Sequence, residues 1–506
     1  MKHLILAFFV ASIVILGFIK PVLANDTKFS TTYKTTYDVA ENGVTTVTSN
    51  LELKNLTPNF YASSFQVTPG FKKIYDVVAY DRLGNCQVTV ANEMITVNFN
   101  DKAVGQNTIL KWSLIYKTAE VASKKGRVWE VSLPRVSNVD NSIVDYLTAL
   151  KVPKSFGEAT GLDDIAATTG NEGTKKVYVF NKDTIINQGI SASFGDWQLL
   201  KYELKYHLKN PLILPIVQEI TLPPTISYRQ EIFINSLNPT PLSFRKDIDG
   251  NLYARYFLKP MEDLEISLGG GAKIYNRRIS PSVGGQLANV PTNLDYLTKP
   301  QPFWESDNSQ IKNVTITETN SEDNVSQTAR KLYDYVTKTL TYNVNKGFDS
   351  RLGALGVLQD PKNAVCGEFA DLFVTLCRSS GIPARGLEGW AATDEVRIGQ
   401  SDVLHAWSEY FDPVFGWVAV DPTWGNTAKT DFFTHLDTNR LVLAIHGASS
   451  TSPPPAGAFK FDTNEENQVI VAFSDQVDEK NVIEIVAPVY EETIWTRLRD
   501  VWQGVL

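Results

Sequence analysis

One stretch, residues 363–426, constrains the fold more tightly than any other. It contains N-A-V-C-G-E-F-A-D-L-F-V-T-L-C-R-S-S-G-I-P-A-R, then L-H-A-W-S-E-Y-F, then G-W-V-A-V-D-P-T-W-G. Phe369, Leu372, Phe373, Leu376 and Cys377 recur at steps of three and four, the buried stripe of a helix. Gly381 and Pro383 end that helix. Cys366 therefore occupies its first turn, where free amide groups and the positive end of the macrodipole favour a thiolate. Cys377 falls on the apolar stripe deep in the same helix and reads as a packing residue.

His405 and Asp421 flank a turn at residues 412–416. A hairpin folded about Val414 sets His405 diagonal to Asp421 on one face; one folded about Pro413 sets them directly opposite. In both cases the Cβ atoms lie roughly 5–8 Å apart. A carboxylate bonded to one ring nitrogen fixes the tautomer and leaves the other facing the sulfur. Cys366, His405 and Asp421 are thus the candidate catalytic residues: nucleophile, base and orienter. Glu409 shares the face of His405, but a salt bridge to Arg385 is the simpler use for it. The Cys366 backbone N–H is one candidate oxyanion donor, and Gln359 and Asn363 are candidates for a second. Trp390, Trp407, Trp417 and Trp424 serve either as core or as walls of an acyl groove.

The rest of the chain delivers this site. Residues 1–24 carry Lys2, an apolar run and a small-residue end, the pattern of an export signal or an N-terminal anchor. Residues 25–208 hold short alternating Thr- and Val-rich segments with turn residues between them, the pattern of a β-sandwich. A second β module spans 209–280 around the hairpin F-R-K-D-I-D-G-N-L-Y-A-R-Y. Its D-x-D-G lacks the glycine and glutamate spacing of a calcium loop and reads as a tight turn. A proline-rich linker, 281–324, is expected to run over the surface. The α+β core spans 325–448, opening with a helix whose face is Val325, Ala329, Leu332, Val336 and Leu340. Residues 449–506 follow as a proline-stiffened linker, short strands and an amphipathic helix, a stripe that either docks on this protein or lies at a membrane or cell-envelope surface.

With 506 residues the chain holds several domains, and a net charge of -8 spread without long runs argues against nucleic acid as a partner. Its three cysteines are not a disulfide framework. Cys366 and Cys377 on one helix stand roughly 16 Å apart, far beyond disulfide reach. H-E-x-x-H, C-x-x-C and G-x-S-x-G are absent, so no metal or cofactor is expected.

The helix-opening Cys, G-I-P-A-R, H-A-W-S-E and D-P-T together resemble the core of the transglutaminase-like superfamily, across residues 325–445. That resemblance implies a papain-like α+β fold with Cys366, His405 and Asp421 as its triad. The module bearing D-I-D-G-N is similar to the segment that often precedes this core in bacterial members. C-G-E-F-A-D-L-F also resembles the peptide N-glycanase branch. The Gln and Trp that bracket the nucleophile of the animal enzymes are missing, and with them the sequence ground for calcium-dependent cross-linking. The expected function is an exported cysteine enzyme. It forms a thioester from protein or peptide amides and passes the acyl group to water or to an amine. The alternative is a catalytically silent cell-surface binding or assembly protein that works through its β modules.

Overall fold

The computed structural model describes residues 28–490, apart from 393–402, 457–468 and the shorter stretches 138–140, 158, 160–161, 163–165, 188, 347–349 and 429–430. The export segment and the C-terminal amphipathic stripe lie outside the described residues. Among those residues no helix is long and apolar enough to cross a membrane.

The N-terminal module is built on an eight-stranded sheet with two three-stranded sheets. Alternation in Phe29–Val39 and Thr45–Asn55 turns one face inward, burying Val47, Leu51 and Leu53 against Trp112, Leu150 and Phe194.

The second module pairs a four-stranded with a three-stranded sheet. In its larger sheet, β1 (Trp197–Lys209) lies beside β3 (Asp263–Tyr275), which in turn pairs with β2 (Gln230–Asn238). The tail strand Val469–Ser474 returns to pair with β1. The boundary expected at residue 208 therefore moves back. Tyr202, Leu204, Tyr206 and Leu208 alternate inward, into the second module's core. The D-I-D-G-N turn forms, with Gly250 at φ +92° and the Asp247 carboxylate accepting from the Asn251 backbone.

The core has four helices before its sheet: α1 (Ser309–Glu318), α2 (Val325–Thr339), α3 (Gly353–Gln359) and α4 (Cys366–Ser379). The sheet follows, with β4 (Ala384–Ala391), β5 (Val403–Asp412) and β6 (Gly416–Val420). After α5 (Pro422–Ala428) comes β7 (Arg440–His446), and the strand order is β6-β5-β4-β7. Residues 281–324 are not a surface linker. Trp304 and Ile311 are buried in the same cluster as Leu332 and Phe373, so the core begins earlier than the proline content suggested. The proline stretch after the core is also docked: Pro453 O bonds the His446 ring at 2.8 Å.

Candidate active site

Helix α4 opens at Cys366, and the side chain of Glu368 folds back to accept the Val365 N–H at 3.0 Å. The second Glu368 oxygen accepts the Leu352 N–H, and Lys346 neutralises the carboxylate. The first turn is thereby fixed from both sides, with Cys366 8% exposed at its tip.

β5 and β6 fold about Val414, pairing Asp412 with Gly416 and Ser408 with Val420. Asp412 pins the turn: its carboxylate accepts from Val414 N–H and Gly285 N–H and from the Ser326 hydroxyl at the start of α2. This register puts His405 diagonal to Asp421, the first of the two arrangements the turn allowed. Asp421 sits just past β6, where α5 begins, and its Oδ1 accepts the Trp424 N–H. Gly425 is needed there because an added Cβ would strike the Tyr333 hydroxyl, and Tyr333 holds Asp421 O at 3.1 Å.

His405 Nε2 lies 2.7 Å from Asp421 Oδ2, and both side chains are buried. Nε2 is so engaged, and Cys366 lines the same cleft as the ring, close enough to act on its protonation. The structure thus brings the three predicted residues together. Burial alone would pull the imidazole down, but the Asp421 carboxylate and then Cys366 outweigh it and raise its pKa to about 9. Burial acts the opposite way on Asp421, where His405 and Arg440 hold the carboxyl below its usual range. Trp424 and Trp407 stack on the imidazole at 5.1 and 5.9 Å.

Cys366 and His405 open onto a cleft of about 500 Å³, walled by Trp304, Leu387, Trp407 and Trp424. Trp390 and Trp417 serve elsewhere, one against Phe473 and one under the Arg385 guanidinium. Glu409 pairs with Arg385. Cys377 is buried and its thiol pKa is pushed up by burial, the inert behaviour expected of it.

Gln359 and Asn363 do not line the cleft. Gln359 is exposed at the end of α3, and Asn363 accepts from Asn343. Two residues outside the sequence reading do the work nearby. Arg440 Nη1 donates to Asp421 Oδ2 at 2.7 Å and stacks 3.8 Å from the Trp424 ring centre. Tyr342 lines the cleft beside Cys366. Burial, then the negative charge of Cys366, push its hydroxyl up to about 12, so it keeps its proton. An arginine opening the otherwise apolar run R-L-V-L-A-I was the available signal for the first; a lone tyrosine gave none for the second. Among the described residues no cluster of His, Cys, Asp or Glu is placed to hold a metal ion.

Residues 312–422 match the transglutaminase-like superfamily. Over 81 residues the chain is 37% identical to a protein-glutamine gamma-glutamyltransferase of Pseudomonas aeruginosa, covering 14% of this chain and 12% of that one. It is 28% identical over 142 residues to the uncharacterised protein YebA of Bacillus subtilis, 26% of this chain and 19% of that protein. The chain thus spans less than a fifth of either relative's length. A solved candidate cysteine protease of Cytophaga hutchinsonii is similar over 59% of this chain and 95% of its own, at 16% identity and a TM-score of 0.43.

Proposed function

This chain carries a transglutaminase-like core, and from that premise we propose that it is an exported cysteine enzyme acting on protein or peptide amides. The observation that carries the reading is the His405–Asp421 pair at 2.7 Å, on the cleft that Cys366 also lines and near enough to the thiol for it to act on the ring. The Cys366 sulfur attacks the amide carbonyl. The Cys366 N–H, and the Tyr342 hydroxyl beside it, donate to the oxygen as charge develops on it. His405 passes its proton to the departing nitrogen as the C–N bond breaks, leaving a thioester. Water or an amine then attacks, gives a proton to His405, and releases the thiolate. Export rests on the signal-like pattern of residues 1–24.

Alkylation near neutral pH tests the thiol. Cys366 is expected to react at least tenfold faster than Cys377, and His405→Ala to slow it; equal rates at the two cysteines would sink the reading. A glutamine peptide with a labelled primary amine then separates the two fates, incorporation meaning transfer and release of acid alone meaning hydrolysis.

A further inference from the structure

The charged side chains that line the cleft are paired, with one exception among the described residues. Arg351 is bound to Asp371 through Nε and Nη2, and its Nη1 donates to Ser450 O. Glu368 faces Lys346, and His405 faces Asp421. Glu388 accepts no hydrogen bond among the described residues; the Arg351 guanidinium feels its charge but is already held by Asp371. The His446 ring, with Nδ1 3.8 Å away, lies beyond hydrogen-bond reach. His446 Nε2 bonds Pro453 O, and a carbonyl only accepts, so the proton sits on Nε2.

The fold holds Glu388 in the cleft beside the chemistry. It lies on β4 directly opposite Ala406, and its neighbour Gly389 is opposite His405. Pairing between β4 and β7 shifts register between Glu388 and Gly389, an irregularity of the kind that re-aims a side chain. The carboxylate is one-third exposed, within a cleft whose apolar walls include Trp304, Leu387, Trp407 and Trp424. A carboxylate that no hydrogen-bonded cation engages, in such surroundings, favours positive charge.

We propose that Glu388 is a cation-recognising subsite of the cleft, selecting substrates that present an ammonium or guanidinium group beside the reacting amide or amine. This rests on the thiol chemistry proposed above. The cation belongs either to the acyl donor, as a lysine or arginine side chain, or to a diamine-like acceptor.

Two methanethiosulfonate reagents of opposite charge, aminoethyl and sulfonatoethyl, read the field at Cys366 directly, with the modified residue identified by peptide mapping. In the full chain, Glu388→Gln is expected to lower the ratio of cationic to anionic rates about fivefold or more. Glu388→Asp, which keeps the charge, should retain most of the bias. A ratio that stays within twofold in Glu388→Gln overturns the subsite. If neither reagent modifies Cys366, the thiol chemistry fails and the subsite falls with it, a different result from reaction without bias. Turnover then identifies the source. Glutamine peptides flanked by lysine or by glutamate test the donor, and 1,5-diaminopentane against pentylamine tests the acceptor. A preference for the cationic member in one arm, lost in Glu388→Gln, is expected; no preference in either arm overturns the proposal.

Discussion

Asp421 Oδ2 answers two cations at once, His405 and Arg440, each at 2.7 Å and each away from water. The folded imidazole titrates above its ordinary 6.5, so its pairing with Asp421 contributes stability in full below about pH 6.5. That contribution is lost as the pH rises through about 9. The stability gap between wild type and His405→Gln, measured by urea denaturation, should therefore be level below pH 6.5 and narrow toward pH 9. A gap unchanged across that window would mean the ring is not held charged. Arg440→Met removes the second cation and should cost about 3 kcal/mol, because a buried carboxylate loses a partner it cannot replace with water. Urea denaturation of that variant checks the figure. The triad was legible because chain spacing around one turn dictates which face His405 and Asp421 share. Arg440 was not, because its partner is set by how β7 packs under α5, and no local periodicity encodes that.

At the scale of elements, the site depends on how closely β4 and β7 approach. A Cβ on Gly389 would lie 2.0 Å from Leu441 O, and Gly389 is the residue opposite His405. Gly389→Ala should force the strands apart, costing about 1–3 kcal/mol. It should also slow Cys366 alkylation in protein that remains folded; thermal unfolding together with the alkylation rate separates the two effects. Helix α4 and the β5–β6 hairpin could be drawn from the sequence because their patterns are periodic. Residues 281–324 were misplaced because their buried anchors are scattered: Leu297 in a 3₁₀ turn, Trp304 in an isolated bridge with Gln301, and Ile311 in one short helix. Prolines dominate that composition while isolated large side chains do the packing. Alternation in residues 201–208 marks a strand and its inner face. It could not reveal which sheet received the strand, since a period of two is the same in either sheet.

The molecule as a whole ties the second β module to the core through three polar side chains. β7 is the last strand of the core sheet, yet its outer backbone groups are not left open. Gln230 donates to Val442 O and accepts its N–H, and Asn251 does the same for Ile445. Asp249 accepts the Ala448 N–H. Trp390, Leu441 and Leu443 of the core share one apolar cluster with Tyr202 and Leu268 of the module. Module and core should consequently unfold in a single transition. Gln230→Ala with Asn251→Ala leaves four buried backbone groups unpaired, at about 1–3 kcal/mol each. Calorimetry is expected to show a large loss of Tm, and two separate transitions in wild type would refute the coupling. The main-chain donors and acceptors of Val442 and Ile445 on β7 are already spoken for, so an incoming polypeptide finds no continuous register to copy there. It cannot zip onto this margin as an extra ribbon, and its selection falls to side-chain chemistry inside the groove.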